Sequence, residues 1–256
     1  MDKKEATMNN QQNTEQVLEQ KAKNILEYLK SNIRYGNGFL PRPFMIEFTG
    51  PPSSGKTTTI KELYDFLRPL GFLVWRPQEG AENIQNIPRT TPLYNIATGL
   101  YSLDKIIHES FGHKYDIILF DRALYDAFCW MEYWVEKNQL TPGDRFVWQS
   151  FFTSKQFTEK LDLVYFMVCD PQVALERELR VALSKKPRET TTQASIENKV
   201  KIWRRVHSFQ SGFHSNIRLV NTTNMTEQEM VEYIANDILT TLETKSNVST
   251  HSDISK

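Results

Sequence analysis

The sequence predicts a three-layer α/β fold: one five-stranded parallel sheet with helices on both faces. Three observations carry that reading. Short apolar runs alternate with helix-period patterns five times along the chain, the signature of a parallel sheet. A glycine-rich loop, Gly50-Pro51-Pro52-Ser53-Ser54-Gly55-Lys56-Thr57, separates the first apolar run from the helical pattern that follows it. The chain has 256 residues, 39% hydrophobic and 24% charged, an ordinary globular composition that is ample for a buried core.

The elements follow in order. Residues 1–14 are rich in Asn, Gln, Lys and Glu and predict a disordered tail. Over 15–40 a helix and linker are expected, because Val17, Leu18, Ile25, Leu26, Leu29 and Ile33 recur at helical spacing before the Gly36-Asn37-Gly38 breaker. One domain is expected over 41–243. Its first strand is Phe44–Phe48, followed by a helix over Thr57–Leu70 with Ile60, Leu63, Tyr64 and Leu67 on one face. Gly71 closes that helix, where a left-handed residue is easily accommodated only by glycine. Phe72–Trp75 is the second strand. Thr91-Pro92 supplies an N-cap and first position for a helix through Leu93, Ile96, Leu100 and Ile107. Asp116–Phe120, Leu161–Val168 and Ile217–Val220 complete the strands. The last helix starts at Thr226, with Glu229 forming a capping box, and buries Met230, Ile234 and Ile238. Beyond it, residues 244–256 predict a second disordered tail.

Charge and cysteine content narrow the function. Lys plus Arg number 31 and Asp plus Glu 31, a net charge of zero that argues against binding long nucleic acids. Cys129 and Cys169 alone build neither a disulfide framework nor a zinc site. The five histidines (His108, His113, His207, His214, His251) lack metal-ligand spacing. No apolar run approaches the roughly 18–20 residues of a membrane span, and Met1–Gln20 has no signal-peptide core. A cytoplasmic protein without a membrane partner is the expectation; monomer and homodimer both stay open.

The loop Gly50–Thr57 fits G-x-x-x-x-G-K-[ST] at every fixed position. A triphosphate needs backbone N–H groups turned inward and the positive end of a helix, and a glycine-rich loop between strand and helix supplies both. Gly50, Ser53, Ser54, Gly55, Lys56, Thr57 and Thr58 are therefore the expected nucleotide cradle. Lys56 would reach the β and γ phosphates and Thr57 would hold Mg²⁺. Together these give a P-loop NTPase fold with ATP as its expected ligand.

Three further groups converge on the same rim. Asp121-Arg122 ends the third strand, where a Mg²⁺ ligand or general base belongs, although Asp121 could instead cap the next helix. Arg122 reads as a substrate or phosphate clamp, or else as a solvated charge. Glu79, in Arg76-Pro77-Gln78-Glu79-Gly80 after the second strand, is a candidate base for activating an acceptor hydroxyl, with Glu82 a weaker competitor. From Arg177 to Arg205 nine basic residues face three acidic ones, a local balance of +6. With Ser184–Gln193 polar and Pro187 within it, this window predicts a basic mobile lid over the phosphates, or else a solvated charged face. The aromatic residues Tyr125, Phe128, Trp130, Tyr133 and Trp134 favour core packing over base stacking.

Asp121-Arg122-Ala123-Leu124 lacks the glycine of a regulatory GTPase switch, and Asn198-Lys199-Val200-Lys201 lacks the aspartate of a guanine reader. These absences favour transfer to an acceptor. The P-loop with Lys56-Thr57-Thr58, Asp121-Arg122 followed by Asp126 and Trp130, and Cys169-Asp170-Pro171 leading into Arg177 resemble the P-loop nucleoside and nucleotide kinases, thymidylate kinase-like and deoxynucleoside kinase-like, over about Phe44 to Leu242. The resemblance implies a five-stranded core with a lid and ATP- and Mg²⁺-dependent phosphorylation of a small acceptor, a nucleoside or nucleotide. It implies that Glu79 contacts or deprotonates the acceptor, that Asp121 and Arg122 handle Mg²⁺ and substrate, and that Arg177 or Arg180 covers the phosphates. Two alternatives stand beside it: a nucleotide-binding regulatory ATPase or GTPase that works through a protein partner, and a kinase of an RNA end.

Overall fold

In the computed structural model, which describes residues 3–32, 40, 42–181 and 192–252, five strands form one all-parallel sheet. They are β1 (Phe44–Thr49), β2 (Val74–Trp75), β3 (Ile117–Asp121), β4 (Leu163–Val168) and β5 (Ile217–Asn221), in the order β2-β3-β1-β4-β5. The central strands β1 and β4 are buried at all six positions each, whereas β2 and β5 at the edges are partly open. Sheets covered on both faces require this near-continuous apolar run.

The alternation of β1 assigns the faces. Phe44, Ile46 and Phe48 join a core with α1 (Lys3–Asn32), α2 (Lys56–Leu70) and α10 (Glu227–Ser252). Met45 points to the opposite core, built with α4 (Pro92–Glu109), α5 (Leu124–Glu136), α6 (Pro142–Phe152) and α9 (Gln193–Gln210). The short helices α3 (Gly80–Asn83) and α7 (Lys155–Thr158), with α8 (Pro171–Val181), fill the connections.

Both ends are more helical than their composition suggests. α1 begins at Lys3, not near Glu15, and α10 continues to Ser252, past Leu242. Each extension is free of Gly and Pro, and each grows from a segment anchored in the core. Once a packed segment has nucleated a helix, adding polar residues with adequate propensity meets no new nucleation barrier. Leu18, Ile25, Leu26 and Leu29 bury the inner face of α1 as expected, joined by Ala22, while Val17 faces outward. Lys21 of α1 donates to Asn236 and Thr240 of α10. Ile33 and the Gly36-Asn37-Gly38 breaker lie outside the described residues.

Local signals otherwise placed the elements well. Gly71 is left-handed (φ 110°) and its N–H caps α2. Thr91 and Pro92 start α4, and Thr226 and Glu229 exchange hydrogen bonds of 2.8 and 3.2 Å between backbone N–H and side-chain oxygen. The stripe on α4 differs from its sequence reading. Ile96 is buried together with Leu103 and Ile106, whereas Leu93, Leu100 and Ile107 are exposed. The helix carries apolar residues on two faces, and Gly99 decides which one packs. A Cβ there would stand 2.8 Å from both Ala127 and Phe152, so the glycine face is the one that admits α5 and α6.

Candidate active site

The carboxyl ends of β1, β2 and β3 open onto one crevice, the position at which parallel α/β sheets bind ligands. The loop after β1 curls there, with Ser53 (φ 59°) and Gly55 (φ 96°) both left-handed, conformations that bend a loop into an anion cradle. Gly50 is required for a different reason: a Cβ would lie 2.1 Å from the Met167 carbonyl oxygen of β4. Gly55 caps α2, whose first residue is Lys56. The Lys56 ammonium is buried and donates to the carbonyls of Gly50 and Pro51, both at 2.9 Å, and to Ser54 Oγ at 3.3 Å. Burial, aided by the nearby Arg122 charge, lowers its pKa to about 8. Ser53 Oγ donates to Glu178 of α8, the Ser54 carbonyl accepts from Thr222, and Thr58 lies in the first turn of α2.

At the end of β3, Asp121 Oδ2 accepts from Thr57 Oγ1 at 2.6 Å. Asp121 Oδ1 is buried with no hydrogen-bond partner among the described residues. A hydroxyl beside a carboxylate with an unused oxygen fits Mg²⁺, which binds through one or two protein oxygens and keeps several waters. Asp121 does not cap the following helix. The residue at that position is Ala123, and the cap comes from elsewhere.

The cap is Glu47, a fully buried carboxylate in the middle of β1. Its oxygens accept the backbone N–H groups of Ala123 (3.0 Å), Tyr125 (3.1 Å) and Asp126 (2.8 Å), the open donors of the first turn of α5. Burial outweighs these three bonds and, with the Asp126 charge also pushing upward, raises its pKa to about 7. Glu47 thereby pins the turn in which Arg122 adopts a left-handed conformation (φ 70°), unusual for a long side chain.

That conformation points the Arg122 guanidinium back across the crevice. Nε lies 3.0 Å from Glu79 Oε1, and Nη1 donates to Asp126 at 2.9 Å and to the Gly50 carbonyl at 3.3 Å. Burial opposes its charge, but Asp126, Glu79 and Asp121 outweigh this and hold its pKa above the ordinary value. Burial raises the Glu79 pKa, Arg122 lowers it, and the net shift is upward. Asp126 is the hub: Oδ1 also accepts from Thr49, and Oδ2 accepts from Trp130 Nε1 at 2.9 Å. Thr49 in turn accepts from Trp203 Nε1 of α9 at 2.8 Å.

Beside these groups lies a cleft of about 190 Å³. Pro52, Glu79, Tyr94, Asn95, Arg122, Asp126, Trp130 and Lys199 contribute to its wall. Four of the five aromatic residues after Arg122 are core, as expected, but Trp130 is half-buried and faces the cleft. Lys199 sits 5.7 and 5.4 Å from the rings of Trp130 and Tyr133, and burial lowers its pKa to about 8. Glu82 is exposed and does not line the cleft.

Sequence-predicted residues thus divide into two sets. Lys56, Thr57, Glu79, Asp121 and Arg122 come together. Arg177 is bound by both terminal nitrogens to Thr222, at 3.1 and 2.8 Å, and Arg180 is exposed in the last turn of α8. The centre of the expected lid, with Lys185, Lys186 and Arg188, lies outside the described residues. Glu47, Thr49, Asn95 and Trp203 were not marked by any motif, and Lys199 was read only as part of the basic lid window and of a guanine-reader pattern that lacks its aspartate. Among the described residues, no His, Cys, Asp or Glu cluster of three could hold a metal by itself, and no helix is long and apolar enough to cross a membrane.

No protein-family model matches the chain, and no curated protein matches it. Among solved structures, it is similar to deoxyadenosine kinase from M. mycoides. The form with the product dCMP and a flexible dCDP superposes with a TM-score of 0.56 at 16% identity. The forms with bound dCTP and bound dATP give 0.52 and 0.54, each at 15% identity. Every alignment covers 76% of this chain and 98–99% of the other. The chain shares the fold of these deoxyadenosine kinase structures, a three-layer α/β fold with a five-stranded parallel sheet.

Proposed function

We propose that this P-loop kinase fold serves an ATP-dependent phosphotransferase acting on a small acceptor, a nucleoside or nucleotide. The observation that carries the reading is the contact set Thr57–Asp121 and Glu79–Arg122, which links three strand ends to a cleft beside the phosphate loop. The first pair would equally suit a switch protein; the second pair, beside a cleft of about 190 Å³, supports the transferase.

In this reading Lys56 leaves the carbonyls of Gly50 and Pro51 for the β and γ phosphates, and the loop N–H groups bind the phosphate oxygens. Mg²⁺, held by Thr57 and Asp121, would neutralise charge developing on the phosphoryl oxygens. Glu79 accepts the proton of the acceptor hydroxyl as the acceptor oxygen bonds to the γ phosphorus and the bond from that phosphorus to the β–γ bridging oxygen breaks, releasing ADP. Burial raises the Glu79 pKa towards that of a useful base, and Arg122 fixes the carboxylate while adding positive charge near the transferring group. Transfer of this kind depends mainly on positioning and charge neutralisation.

The test is a phosphorylation panel of nucleosides, nucleotides and short RNAs with labelled ATP and Mg²⁺. At least one small acceptor should be labelled faster than ATP is hydrolysed. Lys56→Ala should remove the activity, and Glu79→Gln should lower kcat by about 10²-fold or more. If water outcompetes every acceptor, the transferase reading fails; preferred labelling of RNA ends would replace the small acceptor.

A further inference from the structure

We infer that the groove between α1, α2 and α10 docks a basic amphipathic helix of a protein partner. These helices cover the sheet face opposite α4, α5 and α9, so the inference stands apart from the phosphoryl-transfer reading.

The groove has a volume of about 570 Å³. Leu18 of α1, Phe66 of α2, and Val231 and Ala235 of α10 supply its apolar wall, and Phe66 and Val231 are only half-buried. Around them stand Glu15, Glu62, Asp65, Glu227 and Glu232, with no basic side chain among the described lining residues. Lys61, just outside, pairs with Glu62 and Asp65 at 3.1 and 3.0 Å on the exposed surface of α2, and Gln228 donates to Glu232 at 2.8 Å. The side chains of Glu15 and Glu227 have no partner among the described residues. Glu227 lies in the first turn of α10, where the helix dipole favours an acid. Glu15, Glu62 and Asp65 lie inside their helices, where the dipole gives no such reason for them.

The groove continues over the seam between α1 and α10. A second depression of about 410 Å³ shares Leu18 and Glu232 with the first. It adds Val17 and Tyr233, which are 61% and 49% exposed, and its charged residues are Glu229 and Glu232. The outward-facing Val17 therefore belongs to an apolar strip with an acidic border. An amphipathic helix fits such a strip by laying its apolar face along it. The carboxylates repel acidic segments, nucleic acid and anionic membranes. Lys and Arg on a partner helix meet them favourably, with their alkyl stems lying over the apolar wall. Charge complementarity thus selects the occupant, and the apolar strip separates a docked helix from a loosely held polycation.

The test selects displayed peptides of about 16 residues, roughly 24 Å long when helical, on the full chain. Recovered peptides should carry Lys or Arg beside Leu or Phe at i, i+3, i+4 spacing. As free peptides they should bind with a Kd of about 10 μM or tighter, and more weakly as salt rises. Replacing Glu62→Lys together with Asp65→Lys should weaken binding at least about tenfold, and so should Phe66→Ala. Circular dichroism checks that each variant is folded; if Phe66→Ala is not, the exposed Val17→Ser and Tyr233→Ser take its place. Recovery of no peptide, of peptides without basic residues, or of peptides that bind the charge-reversed chain equally well overturns the inference. Self-association of the wild type that the charge reversal abolishes would give the groove to a second copy of this chain, and overturns it too. None of these outcomes bears on the transferase reading.

Discussion

Glu47 occupies a strand position where the alternation calls for an apolar side chain, and three backbone N–H groups explain its presence. Its proton makes a stability prediction. The folded protein holds that proton up to about pH 7, whereas an unperturbed glutamate releases it near 4.5. Between those values the native state binds more protons than the unfolded chain, so this group's contribution to stability falls as pH rises. The fall should be on the order of 3 kcal/mol across the interval. Tyr125, Asp126 and Cys129 are the titratable groups around it, and subtracting denaturation curves of Glu47→Gln from those of the wild type removes slopes common to both. A difference that does not vary with pH would refute the assignment. Nothing local in the sequence marks Glu47, because its partners lie 76 to 79 residues away. Lys56 and Thr57, in contrast, are legible because their chemistry is written in eight consecutive residues.

α1 is held by apolar contact with α2 and α10, and buried Leu26 reaches the end of α2, 2.9 Å from the place a Cβ would take on Gly71. Leu26→Ala should cost about 2–5 kcal/mol in chemical denaturation, as for other buried leucines. A change near zero would mean that α1 is not part of the cooperative unit. The same elements show how far pattern reading reaches. Caps were legible because each is a local device: Gly71 needs its backbone angle, and Thr226 needs only Glu229. The orientation of α4 was not, because two apolar stripes satisfy one period and the choice between them falls to Gly99 and the neighbours it admits. Helix ends were under-read at Lys3 and Ser252 for a related reason. Composition sets whether a segment can stand alone, while here each end continues a helix already fixed by packing.

Over the whole molecule, 31 basic and 31 acidic residues cancel, yet Lys56, Arg122 and Lys199 gather around one crevice with Glu79, Asp121 and Asp126. On the proposed function, a charged ligand would be held by local arrangement and not by net charge. ATP with Mg²⁺ at about 100 times its Kd should add about 2.7 kcal/mol to stability, which for a chain of this size raises Tm by roughly 5–10 °C. Lys56→Ala should lose most of that rise, and an equal rise in the variant would place the nucleotide elsewhere. The hydrogen-bonded path from Trp130 through Asp126 and Thr49 to Trp203 has an optical consequence. The two indoles stand 5.6 Å apart at 86°, one facing the cleft and the other fully buried. Intrinsic emission should shift when the cleft fills, as water leaves the face of Trp130, and Trp130→Phe should abolish that shift. The protein would then report acceptor occupancy by its own light, without a label and before any phosphoryl group has moved.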